Sequence, residues 1–353
     1  MPAKSRPHAR QLRLRYRPPY DWDASLRFLA ARAMAGVERV RDGGYERTIL
    51  VSGVVRSATA NSARKAPTGP TSGGGAPAWL RVTNATDESA LNLTLWDVPA
   101  RAQDDIVGRI RRMFGLDTDP DEVRRVLGRD RALAPHLERW PGMRIPGGWD
   151  GYEIAVRAIL GQQVSVAAAR TLAARLVARF GSPAARPPSA LDDPAQAPLT
   201  TLFPEPGALA VREAADLSAI GLSARRALAL RDMTRALLSG EVALSTDDDD
   251  DGSEGGDGNA TTGGPERGAD PLAAFTKRWV ALPGIGPWTA HYIALRGLCH
   301  RDAFPAGDLI LRRAANPGGD ALTERALTER ARAWRPWRAY AAVYLWRSVV
   351  DPD

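Results

Sequence analysis

The chain has 353 residues, 44% of them apolar, with ten Trp, a single Cys and a net charge of +7. That length suits two or three packed domains, and the composition excludes wholesale disorder. Cys299 alone excludes an intramolecular disulfide, a thiolate metal cage and a four-cysteine iron–sulfur cluster. His8, His136, His291 and His300 are too scattered to hold zinc or iron.

In chain order, residues 1–12 are basic and polar and read as a flexible lead-in, of the kind that could once have linked a fused alkyl-transfer regulator. No apolar run is long enough for a membrane helix and no apolar signal region opens the chain, so a soluble, cytoplasmic protein is expected. Residues 13–100 mix periods. Leu26, Leu29 and Ala33 have helical spacing within 22–35, whereas 48–55, 79–83 and 91–96 alternate as strands do. Residues 58–78 are rich in Gly, Pro, Ser and Thr and are expected to be a mobile loop inside a long hairpin. This is a small α+β domain.

From residue 101 the periodicity is helical almost throughout, over 152–180 with a break near Gly161, then 208–238, 271–280, 289–299 and 323–350. Gly181, Gly221, Gly240 and Gly297 stand where helices should stop. Residues 101–245 and 271–353 are expected to form two helical units around a cleft. Between them, residues 246–270 read as an acidic, Gly-rich insertion. Residues 247–270 carry nine acids against Arg267, which leaves +15 on the remainder. A field of that sign attracts a polyanion, although with only Lys4, Lys65 and Lys277 as lysines, an Arg codon bias accounts for part of it. The acidic run is read as a solvated insertion rather than a nucleic-acid mimic.

Leu282-Pro283-Gly284-Ile285-Gly286-Pro287-Trp288 holds two glycines around one apolar residue, directly before a helix. Such a turn can be an ordinary helix–helix connection. It can also bare several N–H groups at a helix N-terminus and hold a phosphate. Asp308 opens a further apolar helix after Phe304-Pro305-Ala306-Gly307. It suits an N-cap, a carboxylate facing a cavity, or both.

The hairpin and the downstream Gly-Asp resemble the helix-hairpin-helix (HhH-GPD) DNA glycosylases. Tyr16 to Trp22, Phe28 to Ala33, Val156 to Val166 and Trp334 to Tyr340 narrow the resemblance to the AlkA-type DNA-3-methyladenine glycosylases, from about residue 16 to 346. The resemblance implies that Asp308 is the catalytic carboxylate and that Trp288, Tyr292 and Trp346 line the base pocket. It makes the 282–286 hairpin the DNA grip, with a monovalent cation (Na+ or K+) on its carbonyls. Gln163 falls where the family places an apolar wedge that fills the gap of the flipped nucleotide. Leu160 and Val164 are candidates to assist it, although neither occupies the matched position, and Phe28 and Arg32 are given no catalytic role.

These residue types suit base excision. The target nucleotide must leave the stack, an N-alkylated purine is cationic, and aromatic faces attract such a cation by about 0.5–2 kcal/mol when desolvated. Trp288 and Tyr292, four apart, share a helix face; for Tyr292, core packing is an equally good reading. A cationic base leaves readily, so a carboxylate that stabilises an oxocarbenium-like sugar suffices. Lyase-active relatives place a lysine where Trp288 stands, so simple hydrolysis without a Schiff base is expected. The expected partner is duplex DNA with alkylated bases, met by a monomer that needs no cofactor. Rival readings are a glycosylase for oxidised or mismatched bases and an inactive damage-binding module.

Overall fold

The computed structural model describes residues 9–51, 75–246 and 270–351. Residues 1–8 and nearly all of the two low-complexity stretches, 58–78 and 246–270, lie outside the described residues. β1 (Ala9–Arg15) is followed by α1 (Trp22–Ala30), then β2 (Glu38–Arg41), β3 (Gly44–Val51), β4 (Ala76–Ala85), β5 (Ala90–Trp96) and α2 (Gln103–Phe114). The strands form one antiparallel sheet in the order β1-β5-β4-β3-β2. β3 and β4 make the expected hairpin. Leu80 faces Leu95, Val82 faces Leu93 and Leu14 faces Leu91, so alternate residues build one apolar face. Trp22, Leu26 and Leu29 of α1 cover it together with Ile106, Ile110, Met113 and Phe114 of α2.

Three boundaries differ from expectation. Residues 9–12 are not lead-in but the start of an edge strand, paired with β5 from Ala9 opposite Trp96 onward. Exposed Arg residues alternate there with Leu12 and Leu14, and that basic composition hides a half-buried strand. α2 joins the sheet core, so the first domain runs to about Leu116 rather than residue 100. α1 stops at Ala30 instead of reaching 35, because the chain tightens into turns that send Met34 and Val37 into the helical core.

The remaining helices fall into two groups on a shared apolar core. α3 (Pro120–Leu127) and α4 (Ala134–Arg139) belong with α12 (Leu309–Ala314), α13 (Glu324–Arg330) and α14 (Arg338–Val350), which follow much later in the chain. The other group is α5 (Gly151–Leu160), α6 (Val166–Phe180), α7 (Pro206–Ala210), α8 (Ala214–Ser218), α9 (Ala224–Ser239), α10 (Pro271–Val280) and α11 (Pro287–Gly297), with α5 against α6, α9 and α11. The break near Gly161 is real: it caps α5, and Ser165 caps α6 by accepting from the Ala168 N–H. Residues 181–203 contain no α-helix, only a single 3-10 turn at Ser189–Leu191. β6 (Ser182–Pro183) and β7 (Thr201–Leu202) form a short ribbon, and Leu191 and Leu199 pack on Trp79 and Trp96 of the sheet. Their apolar residues are too sparse for a period to be read.

A buried ion network joins the sheet to α5. Arg47, 1% exposed, donates to Glu153 at 2.9 Å, and Arg157 bonds Glu153 at 2.7 Å and also Glu38. Arg39 pairs with Glu46 at 2.7 Å in the same layer. The neighbouring guanidiniums hold the Glu153 carboxyl down at about 2 despite its burial. Arg157 also donates to the Arg32 carbonyl, tying the end of α1 to the helix that leads to Gln163.

Candidate active site at the start of the twelfth helix

The hairpin between α10 and α11 is tied by backbone bonds from Leu282 N–H to the Trp279 carbonyl and from Ile285 N–H to the Leu282 carbonyl. Leu282 and Ile285 are buried and Pro283 is exposed. Gly284 has φ +83°, and a Cβ there would lie 2.7 Å from the Ala229 Cβ, so this position needs glycine twice over. Gly286 caps α11 without a side-chain acceptor, and the space beside its α-carbon is open. The first N–H groups of α11 are thereby left for an outside acceptor.

Asp308 sits at the N-cap of α12. Its Oδ1 accepts from the Ile310 and Leu311 N–H groups at 2.9 and 3.0 Å, and its Oδ2 accepts from the Trp288 indole at 2.9 Å. The N-cap reading of Asp308 therefore holds, and the oxygen not used in the cap meets α11. The Trp288 ring stacks on Tyr292 with centroids 5.0 Å apart and 12° between planes, and Tyr292 meets Trp346 of α14 edge-on at 6.5 Å. All three rings are half-buried. The four residues expected to form the pocket and its charge are thus one connected group.

Gln163 is exposed at φ +58°, a left-handed conformation uncommon for a side chain of its kind. Its turn is clamped from both sides. Gln162 donates to the Gly284 carbonyl at 2.9 Å and the Thr289 hydroxyl at 3.3 Å, and Arg226 donates to the Leu160 carbonyl at 3.1 Å. Leu160 is fully buried in the helical core and cannot assist Gln163, contrary to expectation; Val164 is half-buried. Gln162 went unread in the sequence, where only the adjacent pair of glutamines after a helix marks it. A cation on the hairpin would share its oxygens, since the Leu282 carbonyl already accepts from Ile285 and that of Gly284 from Gln162.

Phe28 and Arg32, left without a part in the site, lie against it. The Arg32 guanidinium stands 3.6 Å from the Phe28 ring centroid and faces the Tyr292 hydroxyl. Arg296 of α11 lies 4.0 Å from the Phe28 ring and 5.9 Å from the Tyr292 ring. Lys277, the only lysine among the described residues, is exposed on α10. None of the described helices is long and apolar enough to cross a membrane.

Comparison with known proteins accords with this geometry. Residues 11–150 match the AlkA N-terminal domain, and residues 156–338 match the HhH-GPD superfamily of base excision DNA repair proteins. The chain is 35% identical over 352 residues to a probable bifunctional transcriptional activator/DNA repair enzyme AlkA of Mycobacterium tuberculosis, covering 97% of this chain and 57% of that protein. It is 33% identical over 336 residues to DNA-3-methyladenine glycosylase 2 of Escherichia coli, covering 94% and 95% of the two chains. The 3-methyladenine DNA glycosylase of Archaeoglobus fulgidus has the same fold, with a TM-score of 0.66 over 96% of this chain at 18% identity. The chain belongs to the HhH-GPD superfamily of base excision DNA repair proteins, with an AlkA N-terminal domain ahead of the glycosylase helices.

Proposed function

We propose that the chain is a monofunctional DNA glycosylase that hydrolyses the N-glycosidic bond of alkylated bases in duplex DNA. The observation that carries this reading is the bond from the Trp288 indole to Asp308 Oδ2, which couples the wall of an aromatic slot to a fixed carboxylate. The hairpin N–H groups hold a phosphate, Gln163 occupies the gap in the stack, and the flipped base enters beside the stacked Trp288 and Tyr292 rings on the side of Trp346. As the bond from C1′ to the base breaks, its electrons neutralise the cationic base, and Asp308 stabilises the positive sugar. Water adds its oxygen to C1′ and releases a proton.

With Trp288 in place of an attacking amine, no Schiff base forms and the strand stays intact. The enzyme works as a monomer on the nucleoid, with a Na+ or K+ ion on the hairpin carbonyls, and its DNA affinity falls steeply with salt. The test is base release from randomly methylated duplex DNA. Wild type should free 3-methyladenine and 7-methylguanine, with strand breaks only after alkali, and Asp308→Asn should lose at least about 100-fold in rate. Strand cleavage without alkali would mean a lyase. DNA binding without base release would leave Asp308 a helix cap only.

A further inference from the structure

The Phe28 ring separates two guanidiniums that have no anionic partner among the described residues. Arg296 is 4% exposed, and its Nε makes no hydrogen bond. Among the described residues neither Arg32 nor Arg296 forms an ion pair, and the charged groups around them are each other and Arg157, itself committed to Glu38 and Glu153. Burial and this crowding push the Arg296 guanidinium down to about 10. An unpaired buried charge costs stability, and an apolar side chain could fill the same space. The arrangement is nonetheless polarised along one connected path. Asp308 lies at one end, Trp288 and Tyr292 follow, and Arg32 and Arg296 lie at the other.

We propose that the Arg32–Phe28–Arg296 stack is the specificity element of the pocket, selecting purine lesions with an oxygen at C6 over those with an amino group there. The inference rests on the glycosylase reading above. A purine seated in the slot with its glycosidic bond at Asp308 turns its C6 edge away from the carboxylate, toward the guanidinium end. Arginine donates and never accepts. It therefore bonds the O6 of 7-methylguanine or hypoxanthine and opposes the 6-amino group of 3-methyladenine. Arg32, half-exposed beside the Tyr292 hydroxyl, is the direct donor. Arg296, behind the same ring, adds the second positive charge.

7-Methylguanine and 3-methyladenine are both cationic, so their rates of release from one methylated DNA isolate the C6 group from overall charge. Arg32→Gln should lower the ratio of 7-methylguanine to 3-methyladenine release by about 10-fold or more, and should equally slow hypoxanthine release from a duplex with one such base. Arg296→Met should shift the ratio the same way by less. An unchanged ratio, or two rates that fall together, overturns the proposal and makes the stack a packing element. Should Arg296→Met fail to fold in a thermal melt, Arg32→Gln decides. Wild type that releases neither base defeats the glycosylase reading itself, a result distinct from release with an unchanged ratio.

Discussion

The joint between sheet and helices and the end of the base pocket both bury arginine, and they treat it oppositely. At the joint, Arg47 and Arg157 share Glu153 and Glu38, and Arg39 meets Glu46. Beside the proposed pocket, Arg32 and Arg296 both lie against the Phe28 ring, Arg296 also lies by the Tyr292 ring, and Arg32 donates to the Phe28 carbonyl. A buried pair roughly balances desolvation against attraction and fixes how two elements meet. Among the described residues, the Arg32 and Arg296 guanidiniums have aromatic faces but no carboxylate. The first arrangement serves the fold, and the second is the one assigned above to a guest base.

Breaking the joint should have the largest effect. Glu153→Ala leaves Arg47 and Arg157 with Glu38 as their one shared carboxylate and should cost about 3–5 kcal/mol in urea unfolding, with much less effect on the ratio of released bases. A pH series probes the pocket side next. His291, on α11 beside Tyr292, accepts the Phe304 N–H at Nδ1, and burial with Arg338 and His300 nearby lowers its pKa to about 4 from 6.5. The unfolded chain therefore binds the extra proton between those values. Stability should fall as pH drops from about 6.5 toward 4, by up to about 3 kcal/mol, and His291→Gln should flatten that slope in calorimetry. The smallest change should have the opposite sign to the first. Arg296→Met removes a cation with no partner, so the melting point should hold or rise by an amount worth about 1 kcal/mol. A loss of several kcal/mol there would erase the contrast between the two regions.

Much of this was legible because it is local. The glycine hairpin and Asp308 are short-range motifs, and Trp288 with Tyr292 needs only helical spacing. The helices 152–180 and 271–280 carry their own period and stops, so their ends fall close to expectation. What escaped is long-range or aperiodic. Arg32 and Tyr292 are distant in the chain, and nothing near Arg32 marks the helix it will meet. Gln162 finds the hairpin across a similar distance, and a charge such as Glu153 inside an apolar period reads as exposed until its partners are known. β1 was hidden by its arginines, and the 181–203 ribbon by having no period at all.

The bond between Trp288 and Asp308 constrains how such an enzyme can diverge. Under the proposed mechanism, shortening Trp288 to admit a bulkier lesion also releases Oδ2, so the slot is not widened on that side without moving the carboxylate to which that mechanism assigns the chemistry. Trp346 touches only Tyr292 among the slot's rings and has no bond to the carboxylate. New substrates are therefore more cheaply acquired from the α14 side, where shape can drift while rate is kept.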